Sequence, residues 1–383
     1  MRRRLGLAAL AVILAAGLSL VGGTATARPP AASATVGHTY VNDNAAGANT
    51  VAAFDRHADG SLTPIPGSPF SIGGAGLGAG LGSQGAIQTS PDHKFLLAVD
   101  AGSNQISVLK LTSRGIPELV GQPVSSGGVQ PVSLTINRFG LVYVANVGDG
   151  GSNYAGFFLT PAGRLIPLPY TTVAVPEGSG VGEVLFNSTG DRLVGTRDNP
   201  SLIDSFTVRL DGRLVAAQGS PFAGQGLGQI GAEFRPTNPS QLYVSNAHNG
   251  PGLGTVSAFQ VDRRGVLTSI GDSPVPDGQT APCWVEISHD GRYLFAINTA
   301  SANLSRYAIA RNGSLSLIGT TGFKNGVGAV DARLSPDGRF LFVTGGRGLV
   351  ISSFAVNGGD VTELPDSPTS LPAGTAPMGI VVL

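Results

Sequence analysis

The sequence predicts an all-β fold, a seven-bladed β-propeller of four-stranded antiparallel blades, and three observations carry that prediction. A unit of several short strands recurs seven times, the turns between strands are supplied by glycine and proline, and the first copy lacks a strand that the C-terminus can supply. Each unit runs from a Ser-Pro-Asp-Gly-like turn into two apolar strands. A Gly-containing turn, a Leu-Thr-like strand and a Gly-Ser-Pro follow. The clearest copies start at Ser288-His289-Asp290-Gly291 and Ser335-Pro336-Asp337-Gly338.

The second strand of each unit sets the period. Tyr293–Asn298 and Phe340–Gly345 are the clearest examples, with counterparts at His38–Asp43, Phe95–Asp100, Leu141–Asn146, Arg192–Arg197 and Gln241–Asn246. These copies end at residues 43, 100, 146, 197, 246, 298 and 345, spacings of 57, 46, 51, 49, 52 and 47. A repeat of roughly 40–50 residues carrying several strands is the signature of a propeller blade. The longest spacing contains a glycine-rich run, Gly73–Gly82, which reads as a loop insertion. It has Gly-x-Gly spacings without the Gly-Lys-Ser/Thr of a phosphate loop.

Each inner strand should precede its turn, as Pro282–Ile287 precedes Ser288. No such strand precedes His38, whereas Pro377–Leu383 is an inner strand with no turn after it. The C-terminal strand is therefore expected to complete the first blade and close the ring, covering edges that would otherwise recruit foreign strands.

Composition agrees. The 57 glycines and 26 prolines supply turns for many short strands, and no stretch beyond residue 30 keeps a 3.6-residue apolar period. Residues 1–27 read as a secretory signal: Arg2-Arg3-Arg4, an apolar run from Leu5 to Val21, and an Ala-x-Ala site ending at Ala27. A disordered lead-in at 28–37 and one propeller domain at 38–383 would follow. The expected location is extracellular, with no membrane association after cleavage. The first 27 residues hold three of the 24 basic residues and no acidic one, so the remaining chain carries three excess negative charges. That balance gives no electrostatic basis for nucleic-acid binding. A lone Cys283 excludes an internal disulfide. The five histidines lack metal-binding spacing, so neither a metal nor a cofactor is expected, and the chain is read as a monomer.

Candidate site residues emerge from stacking the seven inner strands, which start at Gln84, Pro131, Val181, Gln229, Pro282, Ala329 and Pro377. Alternate residues of a strand face opposite ways. Positions four and six are apolar nearly throughout and read as packing between blades. Positions three and five hold the exceptions: Glu183, Trp284 and Asp331, then Gln88, Thr135, Glu233, Glu286 and Arg333. Charged groups are seldom buried unpaired, so these should line a water-filled channel or pair with one another. Glu233 and Glu286, with Asp331, are candidate acid–base groups, and Arg333 is a candidate anion clamp. Glu183, Gln88 and Trp284 are candidate ligand contacts, as is His248 in the long loop Asn246–Thr255. An ion network that holds the blades in register is the structural alternative.

The units Ser-Pro-Asp-Gly-Arg-Phe-Leu-Phe-Val (335–343), Val-Ser-Ala-Phe-Gln-Val-Asp (256–262) and Gly-Val-Leu-Thr (265–268) resemble the lactonase-type seven-bladed propellers. These include 6-phosphogluconolactonase and 3-carboxymuconate cyclase. The resemblance spans roughly 38–383 and implies the fold, with a lactone or sugar-acid ligand. Where that family reads Gly-Pro-Arg-His, this chain reads Ala281-Pro282-Cys283-Trp284. Where it reads Pro-Ser-His and Ala-Asn-Tyr, this chain reads Pro131-Val132-Ser133 and Ala145-Asn146-Val147. No family catalytic residue carries over. The primary expectation is therefore a scaffold binding a small molecule or a protein through its channel mouth and loops. A lactone hydrolase or cyclase with a rebuilt site, and a cell-surface structural propeller, are the alternatives.

Overall fold

Seven antiparallel sheets stand side by side in a closed ring in the computed structural model, which describes residues 33–324 and 328–383. Their inner strands are Ile87–Thr89, Pro131–Ile136, Val181–Phe186, Gln229–Arg235, Pro282–Ile287, Ala329–Leu334 and Met378–Val382. Each touches the next around the whole circle. Ala34–Leu383 form one compact unit. The signal sequence expected at 1–27 lies outside the described residues. The first strand spans Thr35–Asn42, so the ring begins ahead of the boundary expected at His38.

The ring closes as the strand count requires. Met378–Val382 pairs antiparallel with Thr35–Asn42, with Val41 opposite Ile380 and Thr39 opposite Val382. This makes the C-terminal strand the innermost member of blade 1, and blades are numbered from here in chain order. His38 and Leu383 exchange backbone hydrogen bonds of 3.0 and 2.8 Å, and the Arg56 guanidinium donates to the Leu383 carbonyl.

The recurrent sequence units each have a local physical role. In the turn after the inner strand, the serine hydroxyl donates to the aspartate two residues on and accepts the amide five residues on. Ser335 does this with Asp337 (2.6 Å) and Phe340 (3.0 Å), and Ser288 with Asp290 and Tyr293. The fourth turn residue has φ of +67° at Gly291 and +69° at Gly338, a region that favours glycine. The blades depart from the expected four strands. In six blades the outer strand is split into two short pieces, both pairing with the same third strand. At the break in four of the six, which carry a Ser-Pro pair, Ser68, Ser220, Ser273 and Ser367 accept the amides of Ala53, Ser205, Ala258 and Ser353. A hydroxyl thus replaces the missing ladder partner. Blade 6 lacks the Ser-Pro and has one continuous outer strand, Leu315–Gly322, with a bulge opposite Arg306 and Tyr307.

Packing between blades follows the expected alternation. Ile87, Leu134, Val184, Val285 and Ile380 are buried, as are Phe186, Phe234, Ile287, Leu334 and Val382, while Ile136 is half-buried. Buried tyrosines bridge neighbouring blades through their hydroxyls. Tyr40 donates to the Gly115 carbonyl (2.7 Å), Tyr143 to Gly212 (2.7 Å) and Tyr243 to Gly313 (2.9 Å). A buried tyrosine needs such a partner, because an orphaned hydroxyl would lose its hydration uncompensated. The only helical segment among the described residues is one 3-10 turn, Pro169–Thr171.

Candidate active site

The ring has two mouths, and its axis is not an open channel. At the loop side the inner strands begin; at the turn side they run into the Ser-x-Asp-Gly turns. Between them lies Gln84, fully buried. Its amide nitrogen donates to the Val285 carbonyl (2.9 Å), its amide oxygen accepts from the Val285 N–H, and its backbone N–H donates to Gly182. One residue of blade 2 therefore bonds to blades 4 and 6 across the axis. It fits because Gly231 beside it has no side chain: a Cβ there would collide with the Gln84 amide. The water-filled channel expected from the polar inner residues is thus interrupted at mid-depth.

The loop-side mouth is mostly apolar. A cavity of about 360 Å³ is lined by Ile230, Cys283, Trp284, Val330, Met378 and Arg347, among others. Part of its wall is Gly80 and Gly82, from the glycine-rich insertion, which is tied down where Leu77 N–H donates to Asn44 Oδ1 and Asn44 Nδ2 donates to the Ala79 carbonyl. The Trp284 indole donates to the Ala329 carbonyl at 2.9 Å. Burial pushes the Cys283 thiol up to about 11, which makes it unreactive at neutral pH. His248 is half-exposed and lies 3.0 Å from Asp198. Trp284 and His248 therefore stand apart from the charged residues with which the sequence reading grouped them as ligand contacts.

Those charged residues come together on the turn side of Gln84. Arg333 Nη1 lies 3.0 Å from Glu286 Oε2 and 3.7 Å from Glu233 Oε2, joining blades 5, 6 and 7. Glu286 also accepts the Leu334 N–H (2.8 Å), and Glu183 accepts the Ala232 N–H (2.6 Å). Asp331 is fully buried and accepts the N–H of Ala332 at 2.8 Å. The ion network and the candidate acid–base cluster are one and the same set of residues. A cavity of about 220 Å³ opens onto it, lined by Glu183, Glu233, Arg333, Gln88 and Thr135 from the candidate set. Glu286 and Asp331 stand behind that wall.

Four carboxyls around one guanidinium cannot all hold a charge cheaply. Burial, reinforced by the neighbouring Glu286, pushes Glu233 up to about 8. Burial pushes Glu183 well above the usual carboxylate range and Asp331 up to about 6. Glu286 is also raised by burial, although Arg333 and the Leu334 amide oppose the shift. Burial works against the Arg333 charge, but the surrounding carboxyls outweigh it and hold the proton more tightly. A partly exposed carboxyl that titrates near neutrality, beside a fixed cation and in a cavity, is equipped for proton transfer.

Several lining residues were not singled out from the sequence: Asn137, Arg138, Asn187 and Ser188 on the rim. Asn137 and Asn187 occupy the serine position of their turns, where each side-chain oxygen accepts later amides of the turn. That substitution was legible as a departure from the repeat. Asn187-Ser188-Thr189 matches a glycosylation sequon by pattern, but the Asn187 amide donates to Thr189 and Asp191, and the residue is buried. Among the described residues, no three or more His, Cys, Asp or Glu are grouped to hold a metal ion.

Comparison with known proteins agrees with this architecture. Residues 235–322 match the family model described as "Lactonase, 7-bladed beta-propeller". Among solved structures, a Bacteroides uniformis protein assigned as a 6-phosphogluconolactonase superposes with a TM-score of 0.71 at 19% identity, covering 90% of this chain and 98% of that one. The periplasmic gluconolactonase of Pseudomonas aeruginosa gives a TM-score of 0.71 at 17% identity, with 90% and 98% coverage. No curated protein matches the sequence. The fold is a seven-bladed propeller like theirs, and residues 235–322 match the lactonase-type family that the repeat units resemble; identities this low speak for the fold and leave the chemistry to the site.

Proposed function

We propose that the protein is an exported lactone hydrolase that works in the turn-side cavity, and that the scaffold reading is the lesser one. The observation that carries this is the placement of Glu233: cavity-lining, titrating near about 8, and 3.7 Å from the Arg333 guanidinium. The lactonase-type family match and fold support it, and the signal-like N-terminus supports export.

In the proposed reaction, ionised Glu233 takes a proton from water as its oxygen attacks the lactone carbonyl carbon. Arg333 faces the oxyanion that develops there. The ring C–O bond then breaks, and the departing ring oxygen takes the proton from Glu233, leaving a hydroxy acid that ionises to the carboxylate. Glu286 holds Arg333, and Glu183 and Asp331 complete the low-dielectric wall that keeps Glu233 a strong base. No cofactor enters the scheme.

The test is proton release from a panel of sugar lactones, corrected for spontaneous hydrolysis. Glu233→Gln should lower kcat by roughly 10²–10⁴-fold with the fold intact. The wild-type rate should rise with pH toward a midpoint near about 8, as Glu233 ionises. Unchanged turnover in Glu233→Gln would remove this assignment. Binding without catalysis keeps one specific observation in its favour: Cys283 and Trp284 occupy the family's Arg and His positions.

A further inference from the structure

The turn-side cavity has an unusual charge balance for a site that would receive a sugar acid or a sugar phosphate. Its one interior cation is already engaged. Arg333 Nη1 meets both Glu286 and Glu233, and the Glu183 carboxyl shares the same cavity wall. Fully buried Asp331 lies behind it, adding a fourth acid to the cluster. Four acids against one guanidinium leave no net positive potential for an anion at any protonation state in which Glu286 and one other carboxyl are ionised. The second arginine at the cavity, Arg138, is on the exposed rim, with its guanidinium 4.7 Å from the Phe139 ring centre, where solvent and salt screen it. The rest of the polar lining is uncharged, including Gln88, Thr135, Asn137 and Ser188.

We infer that the cavity selects an uncharged polyhydroxylated lactone and discriminates against phosphorylated or carboxylated ones. This rests on the lactone reading above and adds the substrate class to it. Amide and hydroxyl groups of the lining match sugar hydroxyls, while a phosphate would be brought into a low-dielectric site beside like charge. The same field assists turnover. Hydrolysis converts a neutral substrate into a carboxylate, which the cluster repels, so product leaves and inhibits weakly. Glu183 and Glu233, held protonated by burial for part of the neutral range, donate hydrogen bonds to hydroxyls instead of adding charge.

The experiment compares glucono-1,5-lactone with its 6-phosphate by proton release on the purified protein. The neutral lactone should show at least a tenfold higher kcat/KM. In Asp331→Asn, which removes one buried charge behind the cavity wall, that ratio should shrink several-fold even where turnover of the neutral lactone also falls. Faster turnover of the phosphorylated lactone would overturn the selectivity and leave the lactonase reading standing. A ratio unchanged in Asp331→Asn would overturn the electrostatic cause. Turnover of neither lactone would overturn the lactonase reading and the selectivity with it.

Discussion

The two mouths of the ring are built from the same seven inner strands and are opposite in character. On the loop side the strand starts present Ile230, Trp284, Val330 and Met378, beneath part of the glycine-rich insertion. On the turn side the strand ends present Glu183, Glu233 and Arg333 to a polar cavity. Their separation depends on one side chain, Gln84, which bonds across the axis to Val285. A pleated strand carries different surroundings at its two ends when a neighbour blocks its middle. The catalytic proposal belongs to the end where charge is concentrated, not the end where the family motif would lie.

The comparison is broken most completely by removing what both mouths share. Truncation before Met378 deletes the inner strand of blade 1 and exposes the Thr35–Asn42 edge. Cooperative unfolding should then be lost or shifted by far more than a frayed terminus would allow, and urea denaturation followed by circular dichroism reads this directly. Next in size is a contrast between the two arginines. Arg333→Met leaves Glu286 buried without its cation and should cost about 3–5 kcal/mol. Arg347→Met, at the exposed loop-side rim, should stay within about 0.5 kcal/mol in the same urea titration.

A smaller effect should come from opening the partition. Gln84→Ala orphans the buried N–H and C=O of Val285, at a cost of about 1–3 kcal/mol. It also lets water reach the loop-side cavity from the carboxyl side. Trp284 is the single tryptophan, so its emission should shift to the red and become quenchable by iodide. An unshifted emission spectrum would mean that Gln84 does not separate the two ends.

The gentlest perturbation is pH. Glu233 binds its proton more tightly in the folded ring than in the unfolded chain, as does Asp331. Their stabilisation is therefore greatest at acidic pH and declines as pH rises, from 4.5 to about 8 for Glu233 and from 3.8 to about 6 for Asp331. The turn aspartates act in the opposite sense. Asp92 is held down to about 2 by hydrogen bonds from Ser90 and Lys94, so its contribution is lost only in strong acid. The melting temperature should fall between pH 5 and 8, and Glu233→Gln should flatten the upper part of that decline. A decline unchanged in the variant would place the titration elsewhere.

Most of the turn-side cluster was legible in the sequence because a strand alternates: position five of successive inner strands could be stacked to give Gln88, Thr135, Glu233, Glu286 and Arg333. Position three was harder to place. Glu183 faces the cavity, while Asp331 lies behind it and Trp284 reaches the other mouth. The register shift after the first residue of most inner strands interrupts simple alternation there. The split outer strands were also missed as such. The Ser-Pro pairs were visible, but a hydroxyl standing in for a ladder partner is a long-range fact, since Ser68 serves Ala53 and Ser367 serves Ser353.

The sequence by itself determined the number of blades, the strand that closes the ring and the turns that punctuate it. Each follows from local chemistry that recurs along the chain: serine with aspartate, or asparagine, satisfies a turn's own amides, and glycine accepts the positive φ in most of these turns. The tertiary structure alone decided that the axis is blocked and that the acids gather at one end around Arg333. Those outcomes depend on side chains from blades 2, 4, 5, 6 and 7 meeting at the axis, where Gln84 and Val285 stand 201 residues apart in the chain. No periodicity within a single blade encodes what another blade will place opposite it.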